Sequence, residues 1–227
     1  MTDKSIYSSN KDVFGTQSLV STNKVLKNTY MLLGMTLGFS AVTASLAMAV
    51  GLSPMMGLVL MLVGFGLLFV VNRMADTAKG LPAIFAFTGV MGAALGPTLN
   101  YYVALPGGPS MIMQALGGTA IVFFGLSAYA LTTRKDFSYM GGFLMVGLIV
   151  AIVAGIANIF LGIPALSLTI SAAIVMIMSG LILFDTSRIV NGGETNYIRA
   201  TVSLYLNVYN LFINLLHLIG AFTGGDD

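Results

Sequence analysis

The stretch LYLNVYNLFINLLHL, residues 204–218, is apolar enough to enter a lipid bilayer, yet Asn207, Asn210, Asn214 and His217 recur along it at spacings of three, four and three residues. Those spacings fall on one face of an α-helix. Ser203, four residues before Asn207, extends that face. A membrane helix cannot turn a continuous polar stripe to lipid, where unsatisfied polar groups are costly. The stripe must face protein or water, which predicts that this helix is the interior one of a bundle. Two uses of the stripe remain open. The amides and a neutral imidazole can hydrogen-bond across helices, at about 0.6–2 kcal/mol each. Alternatively they line a polar path of the kind that carries ions or protons.

The rest of the chain supplies the bundle. Its 227 residues are 57% hydrophobic and 8% charged, with a mean hydropathy of +0.93, values of a polytopic membrane protein. A spanning helix needs about 20 mainly apolar residues. Six further segments qualify: roughly 28–50, 54–72, 81–103, 111–131, 139–161 and 164–184, with the stripe helix as the seventh at roughly 197–220. Turn formers mark the breaks: Gly51 and Pro54, Gly80 and Pro82, LPGGPS at 105–110, Gly162 and Pro164, and NGG at 191–193. The expected fold is all-α, with seven transmembrane helices, six of them surrounding a central C-terminal helix. The expected organisation is a polar cytoplasmic tail over 1–27, a transmembrane domain over 28–220 and a short acidic tail over 221–227.

Charge sets the expected orientation, because connections on the cytoplasmic side are enriched in Lys and Arg. Lys4, Lys11, Lys24 and Lys27 lie in the tail, Arg73 and Lys79 in the second connection, Arg134 and Lys135 in the fourth, and Arg188 and Arg199 around the sixth. The first, third and fifth connections hold no Lys or Arg. Seven spans then put the N-terminus in the cytoplasm and the C-terminus, with Asp226 and Asp227, on the periplasmic side. A last segment that dipped in and returned would leave both inside. Pairs of glycines four residues apart, Gly34 with Gly38 and Gly92 with Gly96, suit close helix packing. In a chain without Trp, Tyr101 and Tyr102 at one end and Tyr139 and Tyr197 at the other are expected in the aromatic belt.

Asp185, near the end of the sixth span, is the one carboxylate close to a membrane core. A negative charge at a helix C-terminus opposes the macrodipole, by about 0.3–1 kcal/mol, so a partner is expected. Arg188, three residues on, would make a local interfacial pair. An inward Asp185 would instead be a proton- or cation-sensitive latch, with Arg73 as an alternative cationic partner. Enzyme chemistry finds no support. No cysteine means no thiol nucleophile and no thiolate metal site, and one histidine does not make a zinc site. His217 and Asp185 fall at opposite membrane depths, which excludes a Ser-His-Asp arrangement. The glycine runs do not sit between strand and helix as phosphate loops do. No catalytic residue, metal, cofactor or nucleic acid is expected.

Two segments, TTRKDFSYMGGFL at 132–144 and LILFDTSRIVNGGETNYIRATVSLYLNVYNLF at 181–212, together with the seven-span pattern, resemble the transmembrane Bax inhibitor motif family, most closely its bacterial YccA-like branch. The resemblance implies six helices around a seventh and residence in the bacterial inner membrane. It implies two activities: modulation of the membrane-anchored AAA protease (FtsH type) in membrane-protein quality control, with that protease and its associated membrane proteins as partners, or a pH-sensitive leak of Ca2+ or H+. Leak members carry an aspartyl dyad, one Asp in an FDT-type motif and one in an LYLD-type motif. Asp185 matches the first, whereas Asn207 stands where the second would be, and an amide supplies no charge to a dyad. For the protease reading, the polar tail offers reach, at about 3.3–3.6 Å per extended residue.

Overall fold

The computed structural model describes the backbone of residues 4–223 and side chains from Thr22 onward. The elements are α1 (Lys4–Val50), α2 (Pro54–Met74), α3 (Gly80–Val103), α4 (Gly108–Thr133), a 3-10 turn (Ser138–Met140), α5 (Gly141–Leu161), α6 (Pro164–Val190) and α7 (Tyr197–Thr223). Among the described residues there is no strand, and seven helices are long and apolar enough to cross a membrane. The expected breaks coincide with the observed ones because each has a local cause. Gly51, Gly107, Gly162 and Gly192 take positive φ of 69°, 70°, 62° and 76°, the left-handed region that glycine enters without a Cβ penalty. Pro54 opens α2 behind Ser53, whose side chain accepts from Met56 N at 3.3 Å.

The helix of the first span runs back without interruption to Lys4. No proline interrupts residues 4–27. The tail backbone from Lys4 is therefore helical, rising about 1.5 Å per residue, and not the extended chain on which the reach estimate rests. The side chains of Lys4 and Lys11, and the terminal Asp226 and Asp227, lie outside the described residues.

Interior packing falls as hydropathy rises, as expected where lipid is as apolar as leucine and helices associate through close packing and hydrogen bonds. The most apolar spans, α2 and α5, with mean hydropathies of 2.5 and 2.7, have the fewest interior residues or nearly so; the least apolar, α3 and α7, both 1.4, are half interior. α7 packs against α6, α4 and α1 and touches α3, while α2 leans on α3 and α5 on α6. The C-terminal helix thus has four principal neighbours rather than six.

The α1–α3 seam is closed by glycine. A Cβ on Gly92 would collide with the Ser40 carbonyl and the Thr43 hydroxyl, and one on Gly96 would lie 2.6 Å from the Ala47 Cβ. Gly34 and Gly38 face open space instead, so the close-packing expectation holds for one pair and not the other. Tyr101 and Tyr139 are exposed at the helix ends, but Tyr102 is buried, its ring against Gly220 of α7.

Candidate functional site

The end of α6 and the middle of α7 bring the two positions of the FDT and LYLN motifs together. Asn207 Nδ2 donates to Asp185 Oδ2 at 2.8 Å, and Asn207 is buried. Both residues sit in long uninterrupted helices joined by the short NGG turn, so the antiparallel pairing of α6 and α7 sets their register. An ionised carboxylate only accepts, whereas an amide offers both donors and an acceptor. Asn207 can therefore stay bonded to Asp185 whether or not Asp185 carries a proton.

The expected cationic partner is absent among the described residues. Arg188 pairs with Glu194 at 3.7 Å, reaches the Gly193 carbonyl at 3.4 Å and lies over the Phe184 ring at 5.6 Å. Its direct contacts are thus with the following connection and the Phe184 ring, and it makes no ion pair with Asp185. Arg73 is exposed and makes no ion pair among the described residues. The Asp185 carboxylate is held by an amide instead of a guanidinium.

Asp185 also lies in the segment that ties the charged end of the bundle together. Its neighbour Thr186 hydrogen-bonds Tyr30 of α1 at 3.2 Å. Ser187 donates to the Lys135 carbonyl at 2.9 Å and accepts from Phe137 N at 3.1 Å, fixing the α4–α5 connection. Asn196, at the start of α7, donates to the Ala75 carbonyl at 2.9 Å and to Asp76 at 2.8 Å, and Arg199 forms an ion pair with Asp76, fixing the α2–α3 connection. The α6–α7 junction thus clasps both of the other Lys/Arg-bearing connections.

The remaining stripe residues divide. His217 Nδ1 and Ser171 Oγ of α6 are 2.9 Å apart, a second link between α6 and α7. Ser171 and Asp185 are separated by fourteen residues of one helix, about 21 Å of axis, so the two links lie well apart in depth. Asn210 and Asn214 donate to the carbonyls four residues back, Leu206 at 2.9 Å and Asn210 at 2.8 Å, and these amide donors do not bridge helices. Ser203 is half-buried and makes no side-chain hydrogen bond among the described residues. Inter-helix bonding through the stripe is therefore made at Asn207 and His217.

A second polar face of α7 escaped the sequence reading. Thr201, Tyr205 and Tyr209, spaced by four, lie opposite the stripe. Thr201 reaches the Thr29 carbonyl at 3.3 Å; Tyr205 reaches Ser40 at 2.6 Å and the Thr88 carbonyl at 3.4 Å; Tyr209 donates to the Met91 carbonyl at 3.2 Å. Ser40 itself donates to the Thr88 carbonyl at 2.5 Å. The only available signal was the four-residue spacing, and Thr and Tyr do not stand out in a membrane helix as Asn and His do. Among the described residues no group of three or more His, Cys, Asp or Glu could hold a metal ion.

Comparison with known proteins agrees with this architecture. The family model "Inhibitor of apoptosis-promoting Bax1" matches residues 22–224. The chain is 54% identical over 204 residues to "Modulator of FtsH protease YccA" of Escherichia coli (strain K12), a match covering 89% of this chain and 92% of the relative. It is 54% identical over 208 residues to an uncharacterized membrane protein of Vibrio cholerae, covering 91% and 93%. At 36% identity over 219 residues it matches an uncharacterized protein of Neisseria meningitidis serogroup A, covering 93% and 96%. The chain belongs to the Bax inhibitor family, among relatives of the YccA kind, and is a multi-pass membrane protein.

Proposed function

We propose that this member of the Bax inhibitor family is a non-enzymatic inner-membrane protein that binds and modulates a membrane-anchored AAA protease of the FtsH type in membrane-protein quality control. The observation that carries the reading is near-full-length identity of 54% to a protein named for that modulation. The bundle suits such a role because the α6–α7 junction ties the Lys/Arg-bearing connections into one unit at a single end, the end that the charge rule assigns to the cytoplasm. The N-terminus is then cytoplasmic and the C-terminus periplasmic.

Copurification from native membranes tests the reading. The full chain should retain the protease through purification, and deletion of residues 2–20 should weaken both that association and the effect on substrate turnover. Association and turnover unchanged by the deletion would remove the N-terminal segment from the mechanism. No association for the full chain would remove the protease reading itself.

The contact between Asp185 and Asn207 supports a second reading, a pH-sensitive leak of Ca2+ or H+, because it joins the two positions that carry the dyad in leak members. An Asn at one of them leaves a single ionisable group, so the parent chain is expected to conduct weakly. Asn207→Asp places a second carboxyl within hydrogen-bonding distance of the first, and the two should titrate as one coupled pair. Ca2+ flux into proteoliposomes should rise above that of the parent. Equal flux from the two folded proteins would sink the leak reading.

A further inference from the structure

The charged end of the bundle holds a cavity that neither reading uses. Its volume is about 160 Å³, and it is lined by Thr22, Asn23 and Leu26 at the start of the first span, Leu131 and Arg134 at the end of α4, and Val190 at the end of α6. The ends of α4 and α6 meet the side of α1 there, close to Lys24 and Lys27, so the cavity lies at the level where a bilayer changes from hydrocarbon to headgroup. Its lining is mixed: aliphatic Leu26, Leu131 and Val190, the polar Thr22 and Asn23, and one guanidinium.

The charge around it is unbalanced. Lys24, Lys27, Arg134 and Lys135 are all exposed, and none forms an ion pair among the described residues. The nearest acid in sequence, Asp136, has its carboxylate on Ser138 N at 2.8 Å. Arg134 is also the one described non-glycine residue with positive φ, 50°, at the left-handed cap of α4 where glycine is the low-strain choice. Strain held at such a position points to a use for the side chain. One turn deeper than Leu131 on the same α4 face, the Ser127 hydroxyl is buried without a hydrogen-bond partner.

We propose that this cavity binds an anionic phospholipid, with the headgroup phosphate on Arg134 and an acyl chain along Leu26, Leu131 and Val190. A guanidinium matches a phosphate bidentately, and the aliphatic lining matches what lies below it. Charge complementarity selects this occupant, because Lys- and Arg-rich ends face the leaflet surface where anionic lipids attract basic residues.

The test uses the purified full chain in detergent, with dioleoyl phosphatidylglycerol and dioleoyl phosphatidylcholine as probes and native mass spectrometry as the readout. Phosphatidylglycerol should be retained in preference to phosphatidylcholine. Arg134→Gln should lower its retention about five-fold, the loss expected for one basic contact, whereas Arg73→Gln, at an exposed arginine outside the cavity lining, should leave it unchanged. Equal losses in the two variants would show diffuse charge attraction and overturn the site, as would equal retention of the two lipids by the parent. Displacement of the lipid by inorganic phosphate would identify a free-phosphate site and overturn the lipid assignment. A photoreactive phosphatidylglycerol on the parent chain makes the result independent of any variant's folding. Crosslinks within 22–26 and 127–134 support the site, and crosslinks confined elsewhere refute it.

Discussion

The two polar faces of α7 do different things with the same kind of bond. The Thr201–Tyr205–Tyr209 face reaches backbone carbonyls of α1 and α3 and the Ser40 hydroxyl, partners none of which titrates in the ordinary pH range. The Asn207–His217 face reaches side chains of α6, Asp185 and Ser171, of which one can gain or lose a proton and both can turn away. The first face seats α7 on the glycine-closed α1–α3 pair. The second joins it to α6 through contacts that can be remade. On its fixed face α7 is bonded to α1 and α3, and on its adjustable face to one carboxyl and one hydroxyl side chain of α6, the helix it packs against most extensively.

The sharpest way to break this comparison is at the fixed face. Tyr205 is fully buried and edge-on to Phe87 at 5.5 Å. Tyr205→Ala should destabilise the bundle by about 3–5 kcal/mol, the range for deleting a buried aromatic. Thermal unfolding in detergent measures it, and a loss below that of the substitutions on the other face would reverse the assignment of roles.

Asn207→Leu comes next. It leaves the Asp185 carboxyl without its observed donor, and an unsatisfied buried group costs about 1–3 kcal/mol. Pairing with Asp185→Asn in a double-mutant cycle should give a clear interaction energy, since the two side chains touch. Simple additivity would mean that the 2.8 Å contact contributes nothing.

The Ser171–His217 link should matter less. Ser171→Ala is expected to cost about 0.6 kcal/mol, the average for a hydrogen bond between membrane helices, and to be less than additive with His217→Ala. Smallest of all is the coupling of Asp185 to either arginine. Arg188 is engaged with Glu194 and Arg73 lies exposed, so Arg188→Gln and Arg73→Gln should each add to Asp185→Asn within about 0.3–0.5 kcal/mol. A larger coupling at Arg188 would restore the local pair expected from its three-residue spacing.

The adjustable face was legible in the sequence and the fixed face was not, for a physical reason. Asn and His are conspicuous in a membrane helix because they have no apolar way to be buried, so their spacing alone placed Asn207, Asn210, Asn214 and His217 on one face. Tyr and Thr carry enough carbon to pass as lipid-facing or belt residues, and their partners are mostly carbonyls, which every residue has. The span count was readable because the turns are made by Gly and Pro with positive φ or fixed φ. The start of α1 was not, because residues 4–27 hold weak helix formers such as Gly15 and Asn10 but no proline, and polarity by itself does not break a helix. The sequence left the partner of Asp185 open between Arg188 and Arg73, because spacing along a helix does not show that the connection offers Arg188 a contact with Glu194 and the Phe184 ring. Only tertiary geometry separates Gly92 and Gly96, packed on α1, from Gly34 and Gly38 with the same spacing.

Protease modulation is tested most directly by reconstitution. An FtsH-type protease and a membrane-protein substrate are placed in liposomes with the chain or with an unrelated seven-helix protein at equal density, and the rate of substrate loss is followed under excess ATP. The rate should differ between the two vesicle populations, and the difference should change when Asn207→Leu replaces the parent chain. Equal rates in vesicles where the chain is demonstrably folded and inserted alongside the protease would contradict the assignment.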